Sequence, residues 1–355
     1  MGIRRKILLL AFLLFIVFTG GTLILRDGYR DTGPPEVIET TGFLMGTSWT
    51  IKVPLQEGWE KEVVREAVDA SFDELARIEA LMSEWRENTP VSRINLNAGV
   101  KPTRVPDELI RIIKRGIEYG RLSDGAFDIT WRGMGRIWDF GEDFMIPSEE
   151  ERQTAVGRVD CRKIEIGKDS VFLPEPGMAI GLGGIAKGYA IDRAGMKLRE
   201  SGLGSFLVDG GGDILTAGEI NGRPWRLGIR DPRGGPAELV HKLSLSGGAV
   251  VTSGDYERFR IVNGRRFHHI IDPRTGWPAE GFRSVTVYSS TAERADVMAT
   301  ADFVLGVEAG LELVRNTPGT EALVIDSEGN TRMTAGFASL LDSEPDPGGS
   351  GARER

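Results

Sequence analysis

Asp296 and Thr300 stand four residues apart, flanked by Val297, Ala301, Val304 and Leu305 at helical spacing. One turn separates the pair, so a carboxylate and a hydroxyl oxygen share a face and can converge on one hard cation. Two oxygens do not complete a coordination shell, and an aspartate early in a helix also complements the helix dipole. The spacing alone leaves both readings open. A second candidate is Gly181-Leu182-Gly183-Gly184-Ile185-Ala186-Lys187. A glycine-rich entry into a helix presents unpaired backbone N–H groups, and a lysine in the first turn adds positive charge. Together they suit a phosphate. The run also has the form of a dinucleotide fingerprint, G-x-G-x-x-A, with Asp209 ending the next predicted strand. The preceding Leu173-Pro174-Glu175-Pro176-Gly177 makes a poor buried strand, and no G-K-[ST] P-loop occurs. An ordinary glycine-rich helix start is the plain alternative.

A third candidate is His268-His269, in Arg266-Phe267-His268-His269-Ile270-Ile271 before the turn Asp272-Pro273-Arg274-Thr275-Gly276. In a strand the two rings point to opposite faces, so at most one looks into a given site. A neutral imidazole is the usual general base for a hydroxyl near pH 7. No Ser/Asp partner pattern surrounds the pair, so a hydrolase triad is unsupported, and a structural histidine is the alternative. Thr252 to Phe259 forms a turn rich in donors and acceptors, generic by itself. Trp85, beyond the end of a predicted helix, can stack on a planar ring or pack into the core.

Composition narrows the chemistry. The chain has 355 residues with 44 Lys+Arg against 52 Asp+Glu, a net charge of −8, which argues against a nucleic-acid binder. One cysteine, Cys161, precludes an intramolecular disulfide and a cysteine-based metal cluster. Three histidines (His241, His268, His269) make a histidine-rich zinc site improbable, so a metal here should be hard and oxygen-bound. The 47 glycines favour turns and close backbone approaches over a helical bundle.

The elements that must position these residues follow from periodicity. Met45 to Pro54 alternates as an early strand, and Glu60 to Glu84 reads as an amphipathic helix of about six turns. Ser92-Arg93-Ile94-Asn95 reads as a polar loop, and Glu108 to Leu122 as a second helix. Lys163 to Leu173 is a short hairpin, and a helix follows the glycine-rich turn through Leu198. Strands are expected at Ser205–Val208, Trp225–Ile229, Leu239–Leu245, Ala249–Thr252, Phe267–Ile271, Ser284–Tyr288 and Leu323–Ile325. One long helix is expected from about Ala292 to Asn316. Helices and hairpins mix without a strict βαβ repeat, which gives an α+β class.

Both ends read differently from the body. Arg4-Arg5-Lys6 precedes an uncharged, mostly apolar run, Ile7 to Leu25, long enough as a helix to span one hydrocarbon core. The basic flank predicts the N-terminus inside and the body outside. An uncleaved anchor is favoured over a cleaved signal, and either exports the body. Residues 1–35 are thus anchor or signal and linker, and 36–341 one domain. Residues 342–355, DSEPDPGGSGARER, read as a disordered tail.

In order, the chain carries MGTSWTIKV at 45–53, MSEWRENTPVSRIN at 82–95, SDGAFDIT at 123–130 and GLGGIAKGYAIDRA at 181–194. VDGGGDI at 208–214, TSGDYERFRIVNGRRFHHIIDPRTGWP at 252–278 and SVTVYSSTAERADVMATADFVLG at 284–306 follow. These seven blocks resemble the ApbE family of FAD:protein FMN transferases over essentially the whole body. The resemblance implies a Mg²⁺-dependent exported enzyme that splits the FAD pyrophosphate. It would move FMN to a threonine or serine hydroxyl of a partner protein, typically a membrane redox subunit, and release AMP. Some members also hydrolyse FAD. Carried over by motif, the metal would be held by the side chains of Asp296 and Thr300 and the backbone carbonyl of Gly184, with Ala299 a further candidate. FAD would contact Met45, Trp85, Ala126, Phe127, Asp128, Gly181, Lys187, His269 and Ile271, with His269 the base for the acceptor hydroxyl. Two positions depart from the pattern: Gly181 replaces the family's usual aspartate, and Trp85 a frequent tyrosine. A FAD-binding protein without transferase activity and a nicotinamide-dependent oxidoreductase are the readings from other classes.

Overall fold

A computed structural model describes residues 36–135, 137–142, 144–235 and 237–342. The predicted membrane segment Ile7–Leu25 and the tail from residue 343 lie outside them. Among the described residues no helix is long and apolar enough to cross a membrane.

An eight-stranded sheet organises the body. In spatial order its strands are Val37–Leu44, Thr47–Pro54, Phe206–Gly210, Asp213–Ala217, Gly247–Gly254, Phe282–Ser289, Thr320–Asp326 and Thr331–Met333. Every neighbouring pair is antiparallel. The expected α+β class therefore holds, and the parallel βαβ unit that a dinucleotide fingerprint requires does not form. Asp209 accepts the Gly212 N–H at 2.7 Å and builds a turn.

Strand alternation divides the interior in two. Phe206 and Val208 face a layer of helices, whereas Leu207 faces the opposite side with Leu323 and Ile325. On the helical side Trp49, Ile51 and Leu215 pack with Leu75 and Ile78 of the Lys61–Met82 helix and with Ile191. On the other side a hairpin of Trp225–Arg230 and Leu239–Leu245 covers the sheet with Phe337.

Several expectations are corrected. Ser92–Asn95 is not a loop: Pro90–Leu96 is helical, started by the Thr89 side chain accepting the Ser92 N–H and by proline in its first turn. The long helix after Ala292 is two, Ala292–Leu305 and Val307–Arg315. Gly306 breaks it at φ 83°, a conformation that costs glycine little. The strand predicted at Phe267–Ile271 runs instead from Arg265 to His268, so His269 lies just past its end. Asp342, assigned to the tail, is tied down: it accepts from Arg226 Nε at 2.9 Å and donates its N–H to the Lys242 carbonyl at 2.9 Å.

Candidate active site

Two helices bring the predicted metal and phosphate residues together. The first, Ala186–Glu200, is called here the lysine helix, and the second, Ala292–Leu305, the aspartate helix. Asp296 is buried, and its Oδ2 accepts the backbone N–H of Gly188 at 2.9 Å. That N–H lies in the first turn of the lysine helix, where no intrahelical partner exists. Thr300 lies one turn further along. A Cβ built at Gly184 would stand 3.6 Å from Thr300 Oγ1, an ordinary contact, and 3.0 Å from the Phe127 ring, a tight one. The glycine-rich turn is held in place by Gly181, whose N–H donates to the Ile129 carbonyl at 2.8 Å. Its carbonyl accepts Trp131 Nε1 at 3.0 Å. A Cβ at 181 would meet the Trp131 indole at 2.8 Å, which is a steric reason for glycine here.

Sequence reasoning missed Asp213. It is 2% exposed, accepts the Thr252 N–H through Oδ1 at 3.3 Å, and forms an ion pair with Lys187 through Oδ2. Burial works against the lysine charge, but Asp213 and Asp296 outweigh it and raise the Lys187 pKa further. Burial likewise pushes Asp296 up to about 7 despite the nearby lysine. The signal was present in VDGGGDI, where Gly211 and Gly212 adopt φ 68° and 94° and turn the chain so that Asp213 opens the next strand.

A cavity of about 880 Å³ is walled by Trp85, Trp131, Trp138, Phe140, Phe259 and Ile271, and two further lining residues, Glu257 and His269, lie within electrostatic reach of Lys187. The His269 backbone N–H donates to the Arg258 carbonyl at 3.1 Å. His269 remains solvent-exposed, and partial desolvation with help from His268, Arg258 and Lys187 lowers its pKa below the ordinary imidazole value, so the imidazole is neutral at pH 7. His268 is 5% exposed and turned away, its Nε2 at 2.8 Å from the Ala279 carbonyl and its ring edge-on to Phe303. The two histidines meet different surroundings, but His269 lies past the strand end, so alternation along a strand is not the cause. Trp85 is 60% exposed, with the Arg132 guanidinium 4.6 Å over its ring. Trp138 donates Nε1 to the Gly276 carbonyl at 2.7 Å and stacks on Phe267, which fixes the aromatic wall. Trp131, Trp138 and Phe140 of this wall were not singled out from sequence. WDFGEDF at 138–144 was the available signal.

Of the residues expected to touch FAD, Trp85, His269 and Ile271 line the cavity. Lys187 lies in the acidic cluster, close enough for its charge to act on His269. Phe127 packs against Gly184, and Ala126 is buried. The Asp128 carboxylate is engaged inside the chain, accepting the N–H of Thr130 at 2.7 Å and of Cys161 at 2.9 Å. Its role in these contacts is to hold the loop that carries Ala126 and Phe127. Met45 sits in the tight turn between the first two strands, its N–H donating to Glu79 Oε1 at 3.0 Å.

The donor chemistry fits a hard divalent ion. Among the described residues no group of three His, Cys, Asp or Glu gathers to hold a metal. The Asp296 carboxylate meets the first turn of the lysine helix and the Thr300 hydroxyl lies by Gly184, and oxygen donors of this kind suit Mg²⁺.

The ApbE family pattern matches residues 45–324. The chain is 34% identical over 292 residues to FAD:protein FMN transferase of Treponema pallidum, covering 77% of this chain and 81% of that one. To the protein of the same name from Escherichia coli it is 29% identical over 326 residues, 88% and 92% of the two chains. The crystal structure of the ApbE protein from Thermotoga maritima superposes with a TM-score of 0.79 at 33% identity, covering 86% of this chain and all of that one. With the family pattern, the relatives and the fold in agreement, this chain belongs to the ApbE family.

Proposed function

We propose that this protein is a Mg²⁺-dependent FAD:protein FMN transferase that joins FMN through a phosphoester to a threonine or serine hydroxyl and releases AMP. The observation that carries this reading is the packing of Asp296 on Gly188, of Thr300 by Gly184 and of Lys187 on Asp213, with Lys187 in electrostatic reach of a neutral histidine that lines an aromatic cavity. The names of the relatives point the same way.

Trp85 and the cavity aromatics supply flat apolar faces for a flavin or adenine ring. Lys187 and the backbone of the glycine-rich turn hold the pyrophosphate at the helix start. Asp296, Thr300 and the Gly184 carbonyl would hold Mg²⁺, which when bound withdraws charge from the phosphoryl oxygens. His269 accepts the proton of the acceptor hydroxyl as its oxygen bonds to the FMN phosphorus and the P–O bond to AMP breaks. The imidazole is neutral beforehand, and the diphosphate charge beside it raises its basicity.

Incubation with FAD, Mg²⁺ and candidate acceptor proteins, followed by mass spectrometry, tests the reading. A covalent FMN adduct supports it, AMP without adduct makes the chain a FAD pyrophosphatase, and retention of intact FAD makes it a carrier. We further propose that Ile7–Leu25 tethers the body outside the cytoplasm, near a membrane redox acceptor. Protease added to spheroplasts should then digest the body, and full protection would contradict the topology.

A further inference from the structure

The two site helices lack side-chain caps of their own. Ile185 at the start of the lysine helix and Thr291 at the start of the aspartate helix make no side-chain capping bond. Each helix instead borrows a carboxylate from the other. Asp296 accepts the first-turn N–H of Gly188 at 2.9 Å. Asp192, one turn beyond Gly188, reaches back and accepts the N–H of Ala292 through Oδ1 at 2.8 Å and that of Glu293 through Oδ2 at 2.9 Å. Between these contacts the helices touch at Gly188, where a Cβ would fall 2.6 Å from the Ala292 carbonyl carbon. The result is a reciprocal cap.

A cap of this kind sets more than helix stability. The aspartate helix can rotate or slide on its neighbour only by breaking two charge-assisted bonds at Asp192. Such a shift would carry Asp296 and Thr300 with it, since they lie about one and two turns from the capped end. Resting on the functional reading above, we infer that Asp192 is a positioning residue: it holds the aspartate helix in the register that sets Asp296 on the Gly188 N–H and Thr300 by Gly184. Asp192 touches neither flavin nor metal in this scheme. Its action passes through the N–H groups of Ala292 and Glu293.

Partners that orient metal ligands typically cost ~10–100-fold in metal affinity when removed. The test is a titration of the full-length chain into Mn²⁺, with free ion read by electron paramagnetic resonance, run with and without FAD. Asp192→Ala should weaken Mn²⁺ binding by at least about tenfold. Asp192→Asn, which keeps one acceptor oxygen, should fall between the variant and the wild type. Asp326→Ala serves as the structural control. Asp326 also caps backbone, accepting the N–H of Gly329 at 2.9 Å and of Asn330 at 2.8 Å, but in a turn away from the site. It should lower Tm and leave the Mn²⁺ Kd unchanged. If Asp192→Ala binds Mn²⁺ as the wild type does, or if Asp326→Ala loses as much affinity, the inference is overturned while the functional reading stands. If the wild-type chain takes no Mn²⁺ under either condition, the metal reading falls and the inference with it.

Discussion

His268 and His269 are adjacent in the chain and serve opposite sides of it: Nε2 of His268 lies 2.8 Å from the buried Ala279 carbonyl, while His269 lines the cavity. His269→Asn keeps a polar side chain but cannot take the hydroxyl proton. FMN transfer should fall by about two to four orders of magnitude with FAD affinity near normal. His268→Asn should leave transfer intact and cost about 1–2 kcal/mol of stability, because a buried bond and an edge-on ring contact are lost. FAD titration, timed transfer and thermal melts on both variants check the assignment. A dead His268→Asn that binds FAD and folds would reverse it.

Asp296→Ala should abolish activity at any Mg²⁺ concentration, since it removes the anionic ligand and uncovers the Gly188 N–H. Thr300→Ala should be milder, because water can replace a neutral hydroxyl at a Mg²⁺ ion. Turnover of FAD measured against Mg²⁺ for each variant decides this, and wild-type turnover in Asp296→Ala would remove the metal assignment.

Gly181→Ala should push the Trp131 indole off the glycine-rich turn, since the added methyl would lie 2.8 Å from the ring. Overpacking of this sort costs about 1–3 kcal/mol. We expect a lower Tm together with weaker quenching of flavin fluorescence. Unchanged flavin affinity would mean that Trp131 does not shape the binding wall.

Asp302 is fully buried on the aspartate helix, neither carboxylate oxygen has a hydrogen-bond partner, and burial lifts its pKa to about 8. The raised value sets the sign. Below about pH 4 both folded and unfolded states hold the proton, whereas between pH 4 and 8 the unfolded state gains by ionising. This group's contribution to stability therefore falls as pH rises through that window. Asp302→Asn, neutral throughout, should match the wild type near pH 4 and gain on the order of 5 kcal/mol, with a Tm higher by several degrees, by pH 8. Parallel melting curves at the two pH values, with no divergence, would refute it.

Local signals in the sequence determined much of this protein. Periodicity located the Lys61–Met82 helix and most of the sheet strands, because burial of one face imposes spacing on any helix or strand. The four-residue step from Asp296 to Thr300 and the glycine-rich helix start were legible for the same reason: their geometry is set within one or two turns of chain. Tertiary structure decided what those elements meet. Lys187 and Asp213 are separated by 26 residues and pair only because the glycine turn before Asp213 brings that strand beside the lysine helix. Trp131 fills the space over Gly181 across 50 residues, and Asp192 caps a helix 100 residues away. Periodicity reports which face of an element is buried but not what it is buried against, so contacts of this range had to await the fold.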